Sequence, residues 1–105
     1  MAAGGSDGQD LEALVGEAVV DAWTDDEQLS GFHAKIEENL ALPFTTTVLG
    51  VEVTVTGIDL LPGSGIVAHC ARGPHRQTIG ILDLPLPDPP PAGSEWIAAL
   101  RRWSP

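Results

Sequence analysis

The chain has 105 residues, 43% of them hydrophobic, with 15 acidic and 5 basic side chains for a formal net charge of −10. That length supports one hydrophobic core and argues against a second. The acid excess disfavours nucleic acid and anionic membrane as partners, since both select clustered Lys and Arg; it favours cations.

Residues 1–9 are small and polar, with neither the basic nor the apolar region of a secretory leader, and are expected to be flexible. No apolar run approaches the roughly 20 residues of a membrane span. Cys70 is the single cysteine, which excludes an intrachain disulfide and suits a reducing, cytoplasmic compartment. One domain is expected over 10–105.

From Asp10, a plausible N-cap, Leu11, Leu14, Val15, Ala18, Val19 and Ala22 fall on one stripe at helical spacing. A second helix is predicted to begin at Thr24, where Thr24-Asp25-Asp26-Glu27 has the form of a capping box. Leu29, Phe32, Ile36 and Leu40 form its apolar face, and Pro43 ends it by restricting Leu42. The two helices read as an antiparallel hairpin over 10–42.

The period then changes to two. Residues 45–57 alternate Val51, Val53 and Val55 against Glu52, Thr54 and Thr56 and read as one half-wet strand. After the turn residues 61–65, two further strands are predicted over 66–71 and 77–82, joined by a hairpin loop at Arg72-Gly73-Pro74-His75. Five prolines between 85 and 91 demand an extended connector. Ser94 is the expected cap of a last helix over 95–103, with Trp96, Leu100 and Trp103 on one face. The fold class is therefore α+β: an N-terminal helical hairpin and a C-terminal helix packed on a small antiparallel, SH3-like sheet or barrel spanning 45–86.

Charge is unevenly spread. Residues 1–40 carry ten acids against Lys35, whereas residues 41–105 carry five acids against four arginines. Calcium takes six to eight oxygen ligands, so a site needs several converging carboxylates. In a hairpin folded across Trp23-Thr24, positions whose numbers add to about 48 face each other given a rise of ~1.5 Å per residue. Asp21 then lies beside Asp25, Asp26 and Glu27, while Glu37 and Glu38 gather near Asp10 at the far end, about 17 Å away along the second helix. The competing reading treats these acids as helix-capping and solvated surface charge. There is no EF-hand loop.

The string Val20-Asp21-Ala22-Trp23-Thr24-Asp25-Asp26-Glu27, followed by Ile36-Glu37-Glu38-Asn39-Leu40-Ala41-Leu42-Pro43-Phe44, the segment Gly50-Val51-Glu52-Val53-Thr54-Val55-Thr56-Gly57 and the late Glu95-Trp96 and Trp103, resembles the small bacterial calcium-binding protein family of the cyanobacterial CcbP type. The resemblance covers 17–103. It implies buffering or sensing of calcium through acids at the positions of Asp21, Asp25, Asp26, Glu27, Glu37 and Glu38. The chain departs from the family in lacking tyrosine, in Lys35, and in Glu38 where Asp is common.

Other candidates carry less. His69, Cys70 and His75 suggest zinc, but adjacent strand residues point to opposite faces, which also undoes a Cys–His nucleophilic pair. His33 reads as a packing histidine, the four arginines as partners for the acidic half, and the three tryptophans as core or lid residues. The expectation is a monomeric, non-enzymatic protein that binds calcium ions. The alternative is a protein-interaction module whose sheet binds a partner and whose acids only confer solubility.

Overall fold

A computed structural model describes residues 7–104, with side chains from Leu11 onward. The class is α+β: three helices, α1 (Asp7–Ala18), α2 (Asp25–Asn39) and α3 (Glu95–Trp103), and four strands, β1 (Phe44–Val48), β2 (Val51–Leu61), β3 (Gly65–Arg72) and β4 (His75–Gly80). The strands form one antiparallel sheet in the order β1-β2-β3-β4. It is an open meander with β1 and β4 as its edges, so no closed barrel forms among the described residues. Of the segment expected to be flexible, residues 1–6 lie outside the described residues, whereas Asp7 to Gln9 begin α1.

The second helix follows its sequence signals. Thr24 is extended, its hydroxyl accepts from the Glu27 N–H, and the Glu27 carboxylate reaches back to the cap. Phe32 and Ile36 are fully buried, and Leu40 closes the same stripe. The helix stops at Asn39 because Leu40 is already extended, three residues before Pro43.

The first helix is shorter than its apolar stripe. It ends at Ala18, and Asp21 takes a left-handed conformation at φ 61°, which turns the chain toward the Thr24 cap. An aspartate tolerates that conformation better than most residues. The connection therefore spans 19–24 rather than folding at Trp23-Thr24. The expected facing register is met at one point: a Cβ on Gly31 would collide with the carbonyl of Ala18, so the missing side chain lets α2 lie against the end of α1. α1 also leans on α3, where Arg102 Nε donates to Glu12 Oε2 at 2.8 Å.

The predicted single strand over 45–57 is two. Val48 pairs with Val51 across Leu49-Gly50, both at positive φ (51° and 78°), the backbone of a tight two-residue hairpin. Leucine hides this turn from the sequence, because Asn or Asp normally precedes the glycine. The left-handed geometry costs a leucine about 1–2 kcal/mol, and its side chain is 97% exposed, recovering nothing by burial. Replacing Leu49→Asn should stabilise the protein by about 1 kcal/mol, read as a higher denaturant midpoint at unchanged slope; a lower midpoint would refute the strain.

β2 pairs with β3 through a bulge at Thr56, between the Val55–Cys70 and Gly57–His69 pairs. Gly73-Pro74 turns β3 into β4, with Arg72 opposite His75. β4 runs two residues ahead of the predicted strand and stops at Gly80. One face of the sheet, with Val53, Val55, Ile58, Ile66, Ala68 and Cys70, joins Phe32, Ile36, Trp96, Ile97 and Leu100 in a single core. The proline-rich connector is tied to β1, where the buried Thr46 hydroxyl donates to the Pro85 carbonyl at 2.7 Å. Ser94 makes no side-chain cap bond, contrary to expectation; its backbone is already helical.

Candidate functional site

The acids of the helical half sit at the two ends of α2. At its start, the capping box uses Glu27: Oε1 accepts the N–H groups of Trp23 at 2.9 Å and Thr24 at 3.0 Å. Asp25 and Asp26 follow the cap on the first turn, exposed, where the partial positive charge of the helix end favours them. Asp21 is exposed on the preceding turn. None of Asp21, Asp25 and Asp26 pairs with a cation among the described residues.

At the far end, Glu37 and Glu38 are exposed on the last turn of α2. Glu37 Oε2 lies 4.0 Å from His33 Nε2, an i, i+4 pair. The Asn39 amide turns back to the Lys35 carbonyl at 2.8 Å. The expected approach of Asp10 lies outside the described side chains. Among the described residues no three His, Cys, Asp or Glu side chains converge at metal-ligand spacing. The structure therefore brings Asp25, Asp26 and Glu27 onto one helical turn and Glu37 and Glu38 onto another, with Glu27 engaged in the cap.

Glu27 has a pH consequence. The backbone N–H of Trp23, then that of Thr24, hold its carboxyl below the ordinary value. A carboxyl lowered in the folded state contributes stability above the unfolded pKa and loses it as pH falls through the folded pKa. Asp59 adds in the same direction, lowered by the Leu60 N–H and by His69. The melting temperature should therefore fall as pH drops below the ordinary carboxylate range, and Glu27→Gln should flatten that fall. Parallel curves for the two proteins would exclude the capping carboxylate as a source of the dependence.

A polar pair not foreseen from sequence crosses β2 and β3: His69 Nε2 lies 3.3 Å from Asp59 Oδ2, both half-exposed. Period-two counting from Gly57, which pairs with His69, puts Asp59 on the same face; the bulge at Thr56 hid that register. Cys70 is buried in the core while His69 is not, so the two point apart as expected. Burial raises the Cys70 thiol pKa, which leaves it a poor nucleophile.

The basic side chains divide into two sets. Arg102 binds Glu12, Arg101 donates to the Leu82 carbonyl at 2.8 Å, and the Lys35 ammonium sits 5.5 Å from the centre of the Trp96 ring. Arg72 and Arg76, at the β3–β4 turn, are exposed and have no acidic partner among the described residues. They border a half-open cavity of about 300 Å³ floored by Val48, Val51, Val53 and Ala71, with Leu49 at its lip. Trp96 is a core residue and Trp103 packs on the core, but Trp23, expected there too, is 89% exposed.

No helix among the described residues is long and apolar enough to cross a membrane. None of the family models, curated proteins and solved structures compared with the chain matches it.

Proposed function

We propose that this is a calcium-binding protein of the cytoplasm, non-enzymatic, in which exposed carboxylates at the two ends of α2 take up calcium as a buffer or sensor. The observation that carries the reading is that Asp25 and Asp26, exposed on the first turn of α2, and Asp21, exposed on the turn before it, have no cationic partner among the described residues and lie near a Glu27 held by the cap. Such oxygen-only, flexible ligands suit calcium better than zinc or magnesium. The resemblance of 17–103 to the CcbP-type family supports the same reading. Glu37 and Glu38 form the second locus.

Binding to the native state adds about 2.7 kcal/mol of stability at a hundredfold excess over Kd. Calcium should therefore raise the melting temperature well beyond sodium at equal ionic strength, and beyond magnesium. Calorimetry at physiological salt should show calcium-dependent heat with a Kd of roughly 1 µM to 1 mM. Asp25→Asn with Asp26→Asn should remove one locus and Glu37→Gln with Glu38→Gln the other, since about 17 Å of helix separates them and charges that far apart are screened. Equal thermal shifts by all three salts would reduce the effect to screening and overturn the proposal.

A further inference from the structure

The cavity at the turn end of the sheet and the exposed turn between α1 and α2 have opposite chemistry. The cavity has an apolar floor, and Arg72 and Arg76 stand at its edge with no acidic partner among the described residues. At its lip Leu49 is almost wholly exposed in a backbone conformation that leucine disfavours. A residue that costs stability and buries nothing points to a role outside folding. On the other side, Trp23 is 89% and Val20 67% exposed, and the same turn carries Asp21, Asp25 and Asp26. Large apolar side chains framed by one sign of charge mark interaction surfaces.

We propose that the cavity receives the turn formed by residues 20–26 of a second copy of this chain, with Trp23 against Leu49 and the valine floor and with Asp25 and Asp26 facing Arg72 and Arg76. The contact is head-to-tail. That arrangement sets the acidic turn of one copy against the sheet of the next, where Arg72 and Arg76 offset Glu52 and Asp59. A two-fold contact through the helices would instead place like charge on like charge. Head-to-tail contacts leave a free turn and a free cavity at the ends, so association is open-ended. Trp is the residue type most often found as an interface anchor, and paired charges at the rim set the orientation.

The test is sedimentation equilibrium of the full chain with a chelator present, so that its outcome is independent of calcium binding, at physiological salt, where repulsion between the chains is screened beyond about 8 Å. The mean mass of the parent protein should rise with concentration up to about 1 mM. Trp23→Ala, which keeps an intact cavity, and Arg72→Glu with Arg76→Glu, which keeps an intact turn, should each remain monomeric. Mixed together, they should give a one-to-one heterodimer that grows no further, since only one competent turn and one competent cavity are present. Leu49→Asn should weaken association about tenfold while remaining folded. A parent protein monomeric at every concentration, or association indifferent to both variants, overturns the proposal. Loss in each variant without recovery on mixing overturns the head-to-tail contact.

Discussion

Gly93→Ala is expected to cost roughly 3–5 kcal/mol, a large part of the ~5–15 kcal/mol that holds a domain of this kind together. Gly93 sits at φ 91°, where a side chain is strained whatever the space around it. It is buried, and a Cβ there would overlap the Asn39 carbonyl and the Leu40 Cα. Both obstacles are backbone at the end of α2, so no rotamer change relieves them. The neighbouring bond from the Ala41 N–H to the Ala92 carbonyl, 2.8 Å, fastens the connector there just before α3 begins. Gly50→Ala is the control: Gly50 has φ 78° and nothing within 4 Å of an added Cβ, so it carries the conformational cost alone, about 1 kcal/mol. Urea unfolding of the two variants separates the terms. Equal losses would mean that the Asn39–Leu40 backbone yields freely and that the close approach contributes nothing.

Where two independent local signals agreed, the sequence was readable. At α2, Thr24 and Glu27 supply a cap and Phe32, Ile36 and Leu40 supply a face, and both appear in the structure. In three places a single signal acting alone misled. The stripe of α1 runs on through Val19 and Ala22, yet the left-handed Asp21 ends the helix early, because the Thr24 cap needs an extended approach. The turn at Leu49 lacks the usual Asn or Asp, so a hairpin read as one strand. The bulge at Thr56 shifts the register by one residue, which no alternation of Val and Thr reveals, and it governs which residues meet His69.

The site divides along the same line. That acids crowd the ends of α2 follows from composition and helical spacing. That Glu27 is spent on the cap follows from the same motif that nominated it as a ligand, so its two readings were never independent. The cavity between the two sheet turns was not legible, since it depends on an unsignalled hairpin. Composition suggests Arg72 and Arg76 as partners of the acidic half of their own chain; among the described residues only Arg102 of the four arginines has such a partner, Glu12.

Phe32→Ala should lower stability by about 3–5 kcal/mol. The ring is wholly buried and tilts 42° against Trp103 with 5.2 Å between centroids. Trp103 is also held by its indole N–H, which donates to Gln28 Oε1, one turn before Phe32 on α2, at 3.0 Å. The ring pair adds about 0.5–1.5 kcal/mol to what burial alone contributes. Truncation therefore opens a cavity between α2 and α3 and removes one of the contacts that locate the last helix. Phe32→Leu refills most of the volume and should cost only roughly 1–2 kcal/mol. Trp103 reports on the change, because its surroundings alter while those of the exposed Trp23 do not. The variant also separates stability from binding. Phe32 lies nearly two helical turns beyond Asp25 and is wholly buried in the core, whereas Asp25 and Asp26 are exposed at the start of the helix. At a temperature where Phe32→Ala remains folded, the heats of the proposed calcium binding should match those of the parent protein while the denaturant midpoint falls. If calcium binding fell in step with stability, the carboxylates at the start of α2 would depend on how α3 is seated, and the acidic turn would not act as an autonomous locus.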